Sequence, residues 1–267
     1  MTETNSVMAA AAALQARIDA VQSFTLHHVQ NSQVFSFPYV HLELPSFISL
    51  HALMLLIGSG LLIFLFGVVY RKKAAVPTGI TNMLELFVVF VRDEISIRYL
   101  GEKDGRKLTP LFCTFFFFIL ILNLIGLVPG FASATGNLSV TATLALITFC
   151  FMVFGAIIKV GLWGFIKGLV PSGIPLPLQI MLFPLEIIGL AIKTGALMIR
   201  LFANMFAGHM VLFLLVGMVM IFGAYALPVI ALALFVYVLE LFVAVLQAYI
   251  FTLLSAIFIG QRYHPDH

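Results

Sequence analysis

Apolar residues fill this chain in five long blocks, with few interruptions. Ser46 to Tyr70, Leu108 to Val128 and Leu138 to about Ile158 are each long enough to cross a bilayer as helices, which takes about 20 residues. Leu178 to Phe222 and Val229 to Gly260 are longer still. Between the first two blocks, Ile80, Leu84, Phe87, Val91 and Ile95 recur at helical spacing, with Asn82, Glu85, Arg92, Asp93 and Ser96 largely opposite. That pattern predicts an amphipathic helix lying on the membrane surface. Gly58-Ser59-Gly60 reads as a helix-packing surface and not a phosphate loop, because no strand precedes it and no lysine follows. Pro129, Gly130 and Gly136 mark a loop after the second block, Pro171, Gly173, Pro175 and Pro177 a break before the fourth, and Gly223 to Pro228 a turn. The expected fold is all-α: a polytopic membrane protein of about five embedded helices, a surface amphipathic helix and a long C-terminal helical hairpin.

The last two blocks are too long for upright crossings. As helices, the 45 residues of Leu178 to Phe222 and the 32 of Val229 to Gly260 extend about 67 Å and 48 Å, against a hydrocarbon layer of about 30 Å. A continuous first helix must tilt steeply and the second less so. A kink at Pro184 or a glycine is the alternative. Either way the hairpin presents a long lateral face.

Composition agrees with the pattern. Of 267 residues, 62% are hydrophobic and 9% charged, where soluble domains carry about 25% charged residues. The net charge of +3 matters less than its placement. Eleven of the 14 Lys and Arg follow the first, third or fifth block, Arg17 alone lies on the other side, and Lys193 and Arg200 lie inside the fourth. The positive-inside rule then puts the N-terminus outside and the C-terminus in the cytoplasm. Residues 1–46 read as a polar extramembrane segment with a short helix from Gln15 to Leu26, residues 47–262 as the embedded unit and 263–267 as a cytoplasmic tail. No basic stretch precedes an apolar core at the N-terminus, so no standard signal peptide is expected. Cys113 and Cys150 fall in apolar blocks without metal-ligand spacing, and His27, His28 and His41 read as surface histidines. With no His-Glu-x-x-His, phosphate loop or nucleophile signature, no enzyme centre, cofactor or metal is expected.

The informative residues are the polar ones inside the last two blocks. Arg200 lies more than twenty residues from either end of its block. Arginine cannot shed its proton in a protein, and a charge at that depth costs several kcal/mol or more and marks ion pathways. Snorkelling to the headgroups is the bland alternative. Glu186, Lys193 and Arg200, seven apart, share a helix face with about 20° of drift per step. In a hairpin, residues equally far from the turn share a depth, which pairs Arg200 with Gln247 and His209 with Glu240. Arg200 and His209 lie about 180° apart on one helix, so straight packing does not satisfy both pairs from one face. Glu186, His209 and Glu240 can exchange protons and Arg200 cannot. A fixed cation flanked by such groups separates two proton paths. A structural hydrogen bond is the alternative for Glu240 and His209, and helix–helix glue the alternative for Gln247 and Asn204.

These residues carry a resemblance. The segment RLFANMFAGH from Arg200 to His209 resembles the signature of subunit a of the F-type ATP synthase. Support comes from NLIGLVP at Asn123 to Pro129, from Glu186 fourteen before the arginine, and from LQAYIF at Leu246 to Phe251. The likeness covers roughly residues 47–260. It implies a hairpin facing a rotating ring of c subunits, two offset aqueous half-channels with Arg200 between them, and the ring's carboxylates loaded and unloaded with protons. Glu240, His209, Asn204 and Asn123 would line the outer path, Glu186 would lie toward the cytoplasmic path, and Gln247 would neighbour Arg200. Other implied partners are the peripheral-stalk b subunits, the rest of the synthase complex and the lipid bilayer, with no nucleic acid. The implied place is a bacterial inner membrane, or else an organelle inner membrane. Some bacterial members carry Glu at position 209 and His at position 240, so the two types stand exchanged here. Gly126 stands where some members have an acid. A proton-coupled secondary transporter or a structural scaffold are the other classes. The first lacks the expected internal repeat, and the second would tolerate loss of Arg200.

Overall fold

A computed structural model describes residues 8, 12–13, 15–19, 34–37, 40–43, 49–69, 79–128, 131–169, 175–222 and 227–264. Residues 223–226 of the turn expected over Gly223 to Pro228, residues 171–174 of the expected break, the loop residues 129–130, His27, His28, the basic triplet 71–73 and residues 265–267 of the tail lie outside the described residues, whereas Pro228 and Pro177, expected in the turn and the break, are the second residues of helices.

The apolar blocks are helices. α1 is Leu50–Phe64, capped by Ser49, whose Oγ accepts from the Ala52 amide at 3.3 Å, and it continues as a π-wound turn, Leu65–Val69. α2 is Ile80–Phe90, followed by a π-wound turn, Val91–Ile97, and by α3, Arg98–Leu127. α4 is Leu138–Cys150, capped by Asn137; a π-wound turn, Phe151–Gly155, leads into α5, Ala156–Lys167. α6, Leu176–Phe222, and α7, Leu227–Tyr263, are the two long arms. Among the described residues, five helical stretches are long and apolar enough to span a membrane. A short antiparallel ribbon, β1 (Val34–Phe37) with β2 (Val40–Glu43), pairs Phe37 with Val40 and Val34 with Glu43. The pattern reading had no strand there. Of the helix expected over Gln15 to Leu26, residues 15–19 are helical and the rest lies outside the described residues.

α3 is the centre of the bundle and packs against α7 and α1. Half of its apolar stretch is buried, against 17% for α6 and 11% for α7. Its phenylalanines make the core: Phe112, Phe115, Phe116 and Phe117 are buried, and Phe115 meets Phe251 of α7 edge to face at 5.6 Å. The hairpin is therefore laid along the outside of a phenylalanine-filled interior.

The amphipathic helix is present, with Leu84, Val91 and Ile95 inward. Ser96, expected on the polar face, is instead fully buried and donates to the Gly105 carbonyl at 2.6 Å. The cause is a bend at Gly101, whose φ of 77° is open to glycine. The bend folds the start of α3 back so that a Cβ at Gly105 would lie 2.7 Å from the Ile97 Cα. The fourth block is not broken: α6 continues as one helix through Pro184. The uncharged loop after α3 is not a surface loop, since Ala132, Ala134 and Thr135 are buried.

Candidate functional site

The hairpin brings His209 of α6 and Glu240 of α7 together. Nδ1 lies 2.9 Å from Glu240 Oε1 and 2.9 Å from the Met205 carbonyl one turn earlier. Nε2 lies 2.9 Å from the Gly126 carbonyl. That carbonyl is free to accept because it belongs to the last turn of α3, where no further amide follows. Two proton placements satisfy this ring. It is either an imidazolium beside a carboxylate, or a neutral ring that donates from Nε2 and accepts at Nδ1 from a carboxylic acid. Both put one transferable proton in the contact. Glu240 is 3% exposed, and neither of its oxygens has a well-aligned hydrogen bond among the described residues. The His209 contact is close by distance rather than by alignment. A buried carboxylate so poorly satisfied is a costly structural group, and it suits one whose protonation changes.

Gly208 makes this approach possible. A Cβ there would stand 2.6 Å from Glu240 Oε1, so any larger residue pushes the carboxylate off α6. Gly126 has a related task. A Cβ on it would lie 2.9 Å from the Ser133 Cβ, so the position where some family members hold an acid is occupied here by the inward-folded loop.

Below this pair sits a layer of amides and hydroxyls. Asn204 Nδ2 donates to Gln247 Oε1 at 2.7 Å. Asn123 Nδ2 donates to the Ala244 carbonyl at 3.1 Å, and Asn123 Oδ1 accepts from Thr135 Oγ1 at 2.7 Å. Thr135 in turn touches Ser133 Oγ at 3.1 Å. These bonds join α3, the loop, α6 and α7. The Gln247 Nε2 remains without a partner among the described residues.

Arg200 stands apart from all of this. It is exposed on the lateral face of α6 and makes no hydrogen bond or ion pair among the described residues. Ile192 and Ile199 on the adjoining flank are 64% and 56% exposed, and a Cβ at Gly189, about 20° from Arg200 around the helix, would meet nothing within 4 Å. Gln247, the expected neighbour of Arg200, bonds Asn204 one turn further on. The stripe of Glu186, Lys193 and Arg200 is thus split. Glu186 pairs with Arg262 at the end of α7 and lies 3.9 Å from Lys193. Lys193 also donates to Gln261 Oε1 at 3.4 Å, and Arg262 to the Gly168 carbonyl at 3.2 Å. Two of the three charges are tied to the end of the hairpin, which leaves Arg200 unmatched.

Several site residues were not singled out in the sequence reading. His51, buried at the start of α1, shares a small cavity with His209. Tyr237 donates to the Leu127 carbonyl at 3.3 Å and, with Gly126, Phe213 and Leu234, lines a largely apolar cavity of about 370 Å³ beside the His209 ring. Arg262 was read only as the last residue of the embedded unit, with no partner assigned. Only His51 carried a usable signal, a histidine inside an apolar block. The others depend on which helices meet.

The ATP synthase A chain family matches residues 52–260. The chain is similar to an ATP synthase subunit a of Anaeromyxobacter dehalogenans, 46% identical over 176 residues, 65% of this chain and 46% of that protein. It is similar also to one of Chloroherpeton thalassium, 45% identical over 259 residues, 91% of this chain and 77% of the other. A third, of Myxococcus xanthus, is 42% identical over 204 residues, 73% of this chain and 67% of the other. The chain spans less than half the length of the Anaeromyxobacter dehalogenans relative.

Proposed function

Because the chain belongs to the ATP synthase A chain family, we propose that it is the proton-conducting stator of an F-type ATP synthase, working against a ring of c subunits. The observation that carries this reading is Arg200: a permanent cation, exposed on an apolar lateral face, with no partner among the described residues. In a bilayer such a group needs an anion from a neighbouring chain. A lipid-facing carboxylate on a rotor subunit supplies it. As each carboxylate reaches Arg200 it is held ionised, and the guanidinium repels any proton moving straight from one half-channel to the other. Protons then cross only by riding the ring.

On this reading the His209–Glu240 pair loads the rotor from the outer side, with Asn123, Asn204 and Gln247 fixing the helices that carry it. Glu186, toward the opposite end of the hairpin, belongs to the cytoplasmic path. The embedded unit is 47–262, in a bacterial inner membrane with the N-terminus outside, alongside peripheral-stalk b subunits. The chain conducts protons and performs no covalent chemistry.

The test is proton-driven ATP synthesis by the whole complex in vesicles. Arg200→Ala abolishes synthesis and opens a passive leak. Arg200→Lys also fails, since lysine lacks the bidentate fork and can deprotonate. Normal coupled synthesis by either assembled variant defeats the proposal.

A further inference from the structure

A buried histidine, His51, shares a cavity with the half-buried His209 of the pair proposed above to exchange protons. His51 lies in the first turn of α1 and is 7% exposed. Ionisable residues within an apolar span are costly and rarely idle. His51 lines a cavity of about 20 Å³ together with Ser133, Gly136, Met205, Phe206 and His209. One water needs roughly 10–15 Å³ and two to four polar partners. The cavity therefore has room for about one water, and His51, Ser133 and His209 are the polar side chains that line it. The only titratable side chains in that lining are the two histidines, with Glu240 behind His209.

We infer that His51 is a proton-relay residue, passing protons between the outer face and His209 through a single water held with Ser133. The inference rests on the outer-path reading of His209 and Glu240. In each transfer His209 keeps its Nε2 proton on the Gly126 carbonyl and gives its Nδ1 proton to Glu240; once Glu240 has passed that proton on, the water reprotonates Nδ1 and His51 reprotonates the water. Release from Glu240 to the rotor and reprotonation of His51 from the outer solution restore the starting state. Protons are the only species moved. The larger cavity beside the ring is lined mostly by apolar side chains, whereas the His51 cavity joins the buried loop hydroxyls of Ser133 and Thr135.

The experiment uses whole complexes in vesicles, with ATP synthesis normalised to the amount of assembled complex. His51→Gln, which keeps hydrogen bonding but does not titrate, lowers proton-driven synthesis about tenfold, below the roughly 10²-fold of a fully committed acid–base group. His51→Glu, which titrates, restores most of that loss. An unchanged rate in His51→Gln overturns the inference, and so does a His51→Glu variant as slow as His51→Gln, which marks a packing role. His209→Gln runs alongside. If it stops synthesis while His51→Gln does not, only the relay is lost; if neither changes the rate, the outer-path reading falls as well. Should His51→Gln fail to assemble, His51→Cys is treated with a small membrane-impermeant thiol reagent from the outer side. Modification that blocks synthesis supports the relay, and absence of reaction or of any effect counts against it.

Discussion

At the scale of single residues, the site depends on a glycine as much as on its ionisable groups. Gly208 has no chemistry, yet a methyl group in its place would collide with Glu240 Oε1 at 2.6 Å. Overpacking of this kind costs about 1–3 kcal/mol, and the carboxylate is the part free to move. Gly208→Ala therefore lowers proton-driven synthesis by displacing Glu240, and adding Glu240→Asp, which shortens the side chain, regains part of the rate. Synthesis in Gly208→Ala at the wild-type level counts against the tight approach. The His209–Glu240 contact makes its own prediction. His209→Glu alone and Glu240→His alone each reduce proton flux, and the double exchange recovers part of it, because residues in direct contact couple. Additive losses in a vesicle assay would mark two independent structural residues instead.

At the scale of elements, the hairpin is fixed differently at its two ends. Toward the turn, Arg17 donates to the Ile221 carbonyl at 3.1 Å, satisfying one of the carbonyls that the end of a helix leaves open. At the far end, Arg262, 8% exposed, is held by Glu186 and the Gly168 carbonyl. Glu186→Gln weakens that clamp by about 1–3 kcal/mol, the range for disturbing a buried hydrogen-bonded charge. Thermal unfolding of the solubilised complex measures it. A double charge exchange, Glu186→Arg with Arg262→Glu, is expected to recover stability. If it recovers stability without proton flux, Glu186 serves the cytoplasmic path as well as the clamp. If Glu186→Gln changes neither, the contact carries nothing. Pro184 sits inside α6 without ending it, although it removes one amide donor from the ladder.

At the scale of the molecule, the arrangement is a rigid interior of phenylalanines with a long apolar hairpin laid against it. At about 1.5 Å per residue, the 47 residues of α6 reach some 70 Å, more than twice a hydrocarbon layer of about 30 Å, and on the proposed function this length tilts the helix and turns a long face to the ring. Cysteines placed at Ile192 or Ile199, on the flank adjoining Arg200, should cross-link to c-subunit positions near the rotor carboxylate. A cysteine at Leu197, which is 1% exposed, should not. Cross-links from position 197 alone would reverse the assignment of faces.

Periodicity and block length determined the helices, because a bilayer admits few other ways to satisfy backbone groups. They gave the spans, the hairpin and the depth matching of His209 with Glu240, since each follows from counting along one chain. The motif from Arg200 to His209 likewise carried the family. Contacts between distant segments were another matter. That Gln247 bonds Asn204, that Arg262 takes Glu186, that Ser96 turns inward and that His51 reaches the cavity of His209 depend on helix rotation and crossing, which small residues such as Gly208, Gly105 and Gly126 set by close approach. Polar residues in an apolar block advertise that they need partners. Which partners they find was decided only when the helices packed, because a few degrees of rotation about a helix axis exchanges one neighbour for another.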